Sequence, residues 1–317
     1  MDQATGELVK AMKVSVIIPT YNGAHKIMNA LRSLEKQTVK PDEVLVVIDG
    51  STDDTAVLLH KEKFSLRKFK IIEQENQGRA EVRNRGAKES IGDLLIFLDD
   101  DIIVPANWIN EHIKHHVQYP STIVTGRLEA PDFINKSDFF RFKMWLHRKW
   151  TKDISSELQS SILNAPYISA NNFSLYRIVF NQLSGFDKRL RDAEDYDLAT
   201  RAMKLNIRLY ISYAAFAYNN DTDNITCETY LKRLRSYTSS QKILADLKPE
   251  IYSQDHQYAV PSLTGFKYIV FSFLTKRWWI KSVDNGYWSW LPEFARFKLY
   301  DMIITANGAF FPEKVPL

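Results

Sequence analysis

The sequence predicts an α/β protein with a doubly wound, mostly parallel sheet flanked by helices, and two observations support this prediction. Short apolar runs rich in Val, Ile and Leu alternate with segments whose apolar residues recur at helical spacing, with short connections between them. Several of these runs end in polar or acidic residues, which is typical of parallel strands that deliver side chains to the carboxyl edge of an open sheet.

The first hundred residues contain strand and helix patterns in strict alternation. Residues 14–18 form a β-rich apolar run that stops at Pro19, and a helix of about three turns is expected around residues 27–34. The next predicted elements are a strand over 43–48, a turn over 49–53, a helix over 54–61, a strand over 69–73, a helix over 79–90 and a strand over 93–98. This order requires right-handed crossovers and indicates a nucleotide-binding type of half-domain over 13–101.

The pattern becomes mixed after residue 101. We expect a helix over 107–118, strands near 121–128 and 167–177, and a helix over 194–205. The last hundred residues are rich in Trp, Tyr and Phe and are predicted to be mainly helical, with a boundary near residue 225.

Composition limits the class of protein. The chain has 317 residues, 45% of them hydrophobic, and a net charge of +4 that does not indicate a nucleic-acid partner. A single cysteine, Cys227, excludes an intrachain disulfide framework and fits a reducing compartment. We expect a flexible extension over 1–12 rather than a signal peptide, no membrane-spanning helix, and a cytoplasmic protein. The N-x-S/T sequons at Asn135, Asn172 and Asn224 are expected to be chance matches.

The most informative motif is an apolar run, residues 95–98, that ends in Asp99, Asp100 and Asp101. Asp99 and Asp101 form a D-x-D pair, and hard oxygen ligands of this kind suit Mg²⁺ or Mn²⁺ carrying a diphosphate. The alternative is an acidic turn that caps the helix expected at 107–118.

Other strand ends carry side chains suited to a nucleotide. The first strand ends in Pro19, Thr20, Tyr21 and Asn22, which offer a ring for stacking on a base, and the second ends in Asp49, an acceptor for a base imide or a ribose hydroxyl. Acidic, polar and aromatic groups at three strand ends favour a nucleotide site over ordinary loop residues.

A basic segment follows the third strand. Gly78 stands where a loop meets the start of a helix, and Arg79 and Arg83 lie one helical turn apart, an arrangement suited to a phosphate. The alternative is a surface arginine pair beside Glu81. A P-loop and a G-x-G-x-x-G turn are both missing, which argues against nucleotidases and dinucleotide-dependent oxidoreductases of those classes.

A second acidic group, Glu194 and Asp195, opens a predicted helix. One carboxylate could remove a proton from an incoming hydroxyl group. The structural alternative is that these acids favour the helix macrodipole and that Asp197 pairs with Arg201.

These motifs together resemble the family 2 glycosyltransferases. The resemblance rests, in order and spacing, on residues 14–23 (VSVIIPTYNG), 46–55 (VVIDGSTDDT), 78–86 (GRAEVRNRG), 97–101 (FLDDD) and 185–201 (GFDKRLRDAEDYDLATR). It implies a GT-A fold over 13–225, with an acceptor-binding half over 102–225 and a separate region over 226–317. It also implies inverting transfer of a sugar from a nucleotide-sugar donor, with a UDP-sugar as the default, to a hydroxyl of a glycan or lipid-linked saccharide in surface polysaccharide or glycoconjugate synthesis.

The resemblance also implies roles for individual residues. Asp195 corresponds to the catalytic base beside Glu194, and Asp101 to the direct metal ligand with Asp99. Residues 169–172, including Asn171 and Asn172, correspond to those that line the sugar and acceptor. The donor-binding set comprises Pro19, Thr20, Tyr21, Asn22, Asp49, Gly78, Arg79, Arg83, Asn84, Asp99 and Asp100.

Two departures from the family pattern bear on function. Many members have a metal-binding His after the base helix, whereas this region reads Tyr218, Asn219, Asn220 and Asp221. An Asn or Asp oxygen there could still bind a hard cation. The Q-x-x-R-W signature of processive members is absent, which argues against a polymerising synthase. A catalytically silent sugar-nucleotide-binding relative and a sugar nucleotidyltransferase remain as alternatives.

Two basic and aromatic segments, 139–152 and 266–281, contain no acidic residue. Such segments suit a peripheral membrane contact or a lipid-pyrophosphate acceptor. The alternative is that their aromatic rings form a core while their cations face water.

Overall fold

The computed structural model describes residues 12–129, 137–150, 160–190, 192–220, 225–252 and 263–313. The chain divides into two compact units: residues 1–132 with 154–221, and residues 133–153 with 222–317. The flexible extension expected over 1–12 lies, except for Met12, outside the described residues. The division differs from a single boundary near 225 because residues 133–153 belong to the second unit.

The first hundred residues contain the seven elements predicted for them. These are β1 (Val14–Thr20), α1 (Ile27–Glu35), β2 (Glu43–Asp49), α2 (Thr55–Lys61), β3 (Phe69–Gln74), α3 (Arg79–Glu89) and β4 (Leu94–Leu98). Their bounds lie within two residues of the expected ones, because buried strands and amphipathic helices both have distinct apolar periods.

The following part of the chain contains more strands than predicted. Its elements are β5 (Ile102–Ile103), α4 (Trp108–Gln118), β6 (Ile123–Glu129), α5 (Asp138–Trp150), β7 (Ser160–Leu163), β8 (Asn172–Tyr176), α6 (Arg177–Gln182), α7 (Glu194–Lys204) and β9 (Leu209–Asn219). The strand expected over 167–177 begins only at 172. Strands β5, β7 and β9 have short or mixed patterns and form through pairing with distant partners.

The sheet of the first unit has the order β3-β2-β1-β4-β8-β6-β9-β5, with β7 paired to β9. Strands β3, β2, β1 and β4 are parallel, and β8 is antiparallel to both β4 and β6. Asn172 is paired with Leu98, so the start of β8 lies at the same edge as the carboxyl end of β4. This register brings the residues before β8 to the acidic cluster.

The central strands are buried on both faces, which explains their continuous apolar sequence. Val16 and Ile18 belong to a core that includes Trp108 of α4, whereas Ile17, between them, belongs to a core with Phe97 and Phe173. Full burial of one such side chain stabilises the fold by about 1.5–3 kcal/mol.

The second unit is helical throughout its described residues. It contains α5, α8 (Cys227–Leu247), α9 (Pro249–Tyr252), α10 (Gly265–Phe273), α11 (Arg277–Asp284) and α12 (Glu293–Thr305), followed by a π-helical turn over Ala306–Phe310. In the basic segment 139–152, Phe139 and Phe142 are buried in the core of this unit, as the structural alternative expected. None of the described helices combines the length and apolarity needed to cross a bilayer.

Candidate functional site

The D-x-D pair lies at the carboxyl end of β4, and β9 closes one side of it. The Asp99 backbone amide donates to the Asn171 carbonyl (3.1 Å), and the Asn220 amide donates to the Asp101 carbonyl (2.7 Å). Ile102 of β5 pairs with Asn219 of β9. The segment that replaces the family's usual His therefore lies directly beside Asp101. Asp221, another candidate ligand, lies outside the described residues.

Asp100, between the two acids of the pair, is turned toward β1. Its carboxylate accepts a hydrogen bond from Thr20 Oγ1 (2.5 Å) and forms an ion pair with Lys26 Nζ (3.1 Å). Burial raises the pKa of Asp100 despite the opposing charge of Lys26. At Gly23 an added Cβ would overlap both Thr20 Oγ1 and the Asp100 carboxylate. Asp100 and Thr20 therefore hold the first loop in place, and Lys26 is a site residue that sequence reasoning missed.

The loop after β1 is joined to the loop after β2. Asn22 has a φ of 51°, and its Oδ1 accepts from the Thr52 amide (2.8 Å), while its own amide donates to Ser51 Oγ (3.0 Å). Pro19 is the sixth residue of β1, and Tyr21 is 52% exposed. The ring of Tyr21 is thus accessible for stacking on a base.

The Asp49 carboxylate accepts three hydrogen bonds from residues 74–78, at the start of the basic segment. Its Oδ1 accepts from Gln74 Nε2 (2.7 Å) and the Gln77 amide (2.9 Å), and its Oδ2 accepts from the Gly78 amide (2.9 Å). Gly78 has a φ of 90°, a conformation that favours glycine. Asp49 therefore holds the loop that leads into α3, and its expected contact with a base stays a prediction.

Arg83 joins the D-x-D pair to the second acidic group. Its Nη2 donates to Asp99 Oδ1 and its Nη1 to Glu194 Oε1, each at 2.7 Å. Although burial opposes the charged form, the charges of Asp99 and Glu194 raise the pKa of the guanidinium overall. Arg83 is only 3% exposed, so the alternative of a surface arginine pair is wrong for this residue.

The other residues of the basic segment fix neighbouring loops. Arg79 donates to Asp192 Oδ1 (3.1 Å), and Asn84 exchanges two hydrogen bonds with the backbone of Phe186 (2.8 and 2.9 Å). Gly185, with a φ of 66°, lies close to Asn84. Arg79 remains substantially exposed, whereas Asn84 is committed to holding the loop before α7.

Asp195, the predicted general base, lies in the first turn of α7. Its Oδ1 accepts from the Tyr196 amide (2.8 Å), and the Ala170 amide also donates to the carboxylate. Burial and the neighbouring Glu194 charge raise the pKa of Asp195 to about 7, outweighing those amides and Arg83. A base whose pKa lies near neutral pH is well matched to proton removal from a hydroxyl.

Tyr167 is a second residue that the sequence analysis did not identify. Although the residue is 38% exposed, desolvation of its hydroxyl and the charge of Asp195 raise its pKa to about 12, and Ser169 forms a hydrogen bond with it. The two residues lie in the irregular segment before β8, where periodicity carries no signal. The antiparallel pairing of β8 with β4 places this segment at the acidic edge of the sheet, and the Ala170 amide within it donates to Asp195.

The two asparagines assigned to the sugar and acceptor have different surroundings. Asn171 Oδ1 accepts from Ser169 Oγ (2.7 Å), at the edge of the site. Asn172 is fully buried: its Oδ1 accepts from Trp108 Nε1 (3.0 Å), and its Nδ2 donates to the Ala215 carbonyl (3.0 Å). Because these contacts lie inside the sheet, Asn172 supports the fold, and the expectation that it lines the sugar is corrected.

The acidic pair fits a divalent cation that arrives with a substrate diphosphate. Among the residues that the structure describes, no group of three or more His, Cys, Asp or Glu side chains is arranged to hold a metal ion. Mg²⁺, however, is usually bound by one or two carboxylates together with substrate phosphates and water. Asp99 and Asp101, next to the Asn219 and Asn220 segment, provide hard oxygen donors of this kind.

Comparison with known proteins identifies the family of the chain. The family model "Glycosyl transferase family 2" matches residues 15–182, more than half of the chain. The O-antigen chain rhamnosyltransferase RfbN of Salmonella typhimurium is 28% identical over 223 residues, which cover 68% of each chain. Three further bacterial glycosyltransferases are 32–39% identical, but the matches span only 16–30% of their lengths.

Solved structures share the fold. The Pyrobaculum calidifontis mannosyltransferase PcManGT, in complex with GDP-Man and Mn²⁺, has a TM-score of 0.60 at 18% identity and covers 93% of this chain and 86% of its own. S. aureus TarS 1-349, in complex with UDP-GlcNAc, has a TM-score of 0.51 at 20% identity, covering 93% and 90%. The fold is thus that of the GT-A-type glycosyltransferases. Because the family model matches more than half of the chain, the chain belongs to glycosyltransferase family 2.

Proposed function

We propose that this protein transfers a sugar from a nucleotide-sugar, with a UDP-sugar as the first candidate, to a hydroxyl group with inversion at the anomeric carbon. The observation that carries the proposal is the bridge made by Arg83. Its two 2.7 Å hydrogen bonds join Asp99 of the D-x-D pair to Glu194, the neighbour of Asp195. In our proposal the acids that hold the donor diphosphate and the base that activates the acceptor therefore belong to one site.

In this proposal Asp195 accepts the proton of the acceptor hydroxyl, which attacks the anomeric carbon from the face opposite the leaving diphosphate. A general base of this kind contributes about 10²–10⁴ in rate. A divalent cation held by Asp99 and Asp101 would stabilise negative charge on the diphosphate. The chain's own cation Arg79, at the start of α3 and exposed, is suited to the same phosphates.

The relatives support the chemical class without fixing its substrates. RfbN is named as a rhamnosyltransferase of the O-antigen chain, and the two structural neighbours contain UDP-GlcNAc and GDP-Man. We propose an acceptor of the same general type, a glycan or lipid-linked saccharide of a surface polysaccharide or glycoconjugate. Because the two neighbours contain different bases, the test includes donors with more than one base.

The test is a thermal-shift titration of UDP-, GDP- and dTDP-sugars, each with and without Mn²⁺. We expect one donor to raise the melting temperature in a metal-dependent manner, and Asp101→Ala to remove that dependence. Asp246→Ala, at an exposed carboxylate of α8, is the matched control and should behave like the wild type. A shift that Asp101→Ala leaves intact would refute the metal role of Asp101. The absence of any shift with these donors would count against nucleotide-sugar binding and therefore against the proposed function.

Inversion is tested separately, once a donor has been found. Transfer to a simple glycoside acceptor, followed by NMR of the anomeric proton, should show the configuration opposite to that of the donor. Retained configuration would overturn the single-displacement mechanism and the role of Asp195 in it.

A further inference from the structure

Helix α10 of the second unit presents an apolar stripe to solvent. Phe266, Ile269 and Phe273 are 78%, 64% and 51% exposed, and their i, i+3, i+7 spacing places them on one face. The opposite face contacts the body of the unit, where Phe271 packs on Phe310 with ring centroids 4.8 Å apart. The stripe is therefore an outer face of a helix that is held in place from its inner side.

The stripe continues into an aromatic cluster on the next helix. The rings of Phe273 and Trp279 are 5.5 Å apart, and Trp279 contacts Trp278 at 4.9 Å and Trp288 at 5.4 Å. Trp278 is 53% exposed. We name Phe266, Ile269, Phe273 and Trp278, together with Lys276 and Lys281, the aromatic–basic face.

The cations of this face are placed among its rings. Lys276 Nζ lies 4.9 Å from the centre of the Phe273 ring, and Lys281 follows Trp278 by three residues on α11, so that both point to one side. Between residues 263 and 292 the chain has four cations and one acid, Asp284. That acid is occupied in capping α8, where it accepts from the Cys227 amide (2.5 Å). The face is therefore positively charged as well as apolar.

We propose that the aromatic–basic face docks the protein on an anionic lipid surface. Exposed Trp and Phe side chains insert at the boundary between headgroups and acyl chains, and flanking lysines are attracted by anionic headgroups. The positive charge favours lipid over a second copy of the chain, because two copies would bring like charges together. The proposal is independent of the transfer chemistry, since none of these residues belongs to the first unit.

The test is co-sedimentation of the full chain with vesicles of phosphatidylcholine and phosphatidylglycerol at low salt, compared with phosphatidylcholine alone. We expect binding to the anionic vesicles that weakens as salt is added. Phe266→Ser/Ile269→Ser should reduce the partition coefficient about tenfold or more. The matched control, Val57→Ser/Ile178→Ser, changes residues that are 65% and 74% exposed in the first unit and should bind like the wild type.

A second pair of variants separates charge from apolar contact. Lys276→Gln/Lys281→Gln should weaken binding about 25-fold at low salt, since each surface cation contributes roughly fivefold. Lys61→Gln/Lys63→Gln, at exposed lysines of the first unit, should have no effect. Melting temperatures verify that each variant is folded.

Three results would overturn the proposal. The first is no sedimentation with anionic vesicles. The second is equal binding by a folded Phe266→Ser/Ile269→Ser variant. The third is a wild type that is a dimer by sedimentation velocity and a Phe266→Ser/Ile269→Ser variant that is a monomer, with no vesicle binding by either. The face would then join two copies of the chain.

Discussion

Replacing Asp195 by Asn should slow transfer by about 10²–10⁴ and at the same time make the folded protein more stable. The pKa of Asp195 is raised from 3.8 to about 7, so the folded state disfavours the charged form, which predominates in the unfolded chain at neutral pH. Asn resembles the protonated acid in shape and charge, and its Oδ1 can still accept the 2.8 Å hydrogen bond from the Tyr196 amide. A catalytic carboxylate kept at the expense of stability is typical of active sites.

The pH dependence of this effect follows from linkage. The proton of Asp195 stabilises the fold fully below the unfolded pKa of 3.8, and this stabilisation is lost as the pH rises through the folded pKa of about 7. Because the folded and unfolded proteins bind this proton with different affinity, Asn should be favoured over Asp by up to about 2 kcal/mol at pH 5.5 and about 4 kcal/mol at pH 8.5. Even about 2 kcal/mol would raise the melting temperature by about 4–8 °C in a unit of this size.

The assay is differential scanning calorimetry of the wild type and Asp195→Asn at both pH values, with donor binding and transfer measured in parallel. We expect donor binding to be retained and transfer to fall by about 10²–10⁴. Asp197→Asn is the matched control, because Asp197 is buried and forms a 2.8 Å ion pair with Arg201. Its loss should destabilise the protein by about 1–3 kcal/mol. If Asp195→Asn destabilises the protein at pH 8.5 as Asp197→Asn does, Asp195 is a structural residue and the reasoning fails.

Three further predictions concern stability. Arg83→Met should lower the free energy of unfolding, measured in urea, by about 3–5 kcal/mol, because it leaves Glu194 buried without its cation. Adding Glu194→Gln should restore much of that loss. If the effects of the two substitutions are additive instead, the ion pair is contradicted. Burial lowers the pKa of the three buried histidines of α4, to about 3 for His112 and about 4 for His115, so they remain neutral in the fold. Their contribution to the free energy of unfolding is fully present above the unfolded pKa of 6.5 and should be lost as the pH falls below it, by up to about 1.4 kcal/mol per pH unit for each histidine. A melting temperature that does not change between pH 6.5 and pH 4.5 would refute this. Gly126→Ala should abolish or strongly weaken the cooperative unfolding transition in a thermal melt, because the added Cβ would overlap the Ala215 carbonyl. A variant with the melting temperature of the wild type would contradict this close approach.

The second unit offers a contrast between its two basic and aromatic segments. Both have interleaved rings and cations and no acid, so their sequences are equally compatible with a core and with an exposed face. The structure buries Phe142 at 0% exposure but leaves Phe266 at 78%. The difference depends on which side of each helix meets the rest of the unit, and this information is absent from either segment alone.

Within the site, whether the role of a residue could be predicted depended on how far away in sequence its partners are. The motifs at strand ends were predictable because an apolar run followed by acids is a local pattern, and the family resemblance added their order. The roles of Asp100 and Asn172 were not predictable, since their partners Thr20 and Trp108 lie 80 and 64 residues away. Both side chains are buried against these partners.

The sequence by itself determined the alternation of strands and helices over 14–98, the acidic pair after β4, the acidic start of α7 and membership of a family, because each depends on periodicity or on residue order along the chain. The tertiary structure alone decided that Arg83 joins Asp99 to Glu194, that Tyr167 lies near Asp195, and that the end of β9 lies beside Asp101. Those features arise from an antiparallel strand and from ion pairs that span up to 111 residues, and the free energy that selects them comes from burial and charge pairing between segments that carry no local signal of each other.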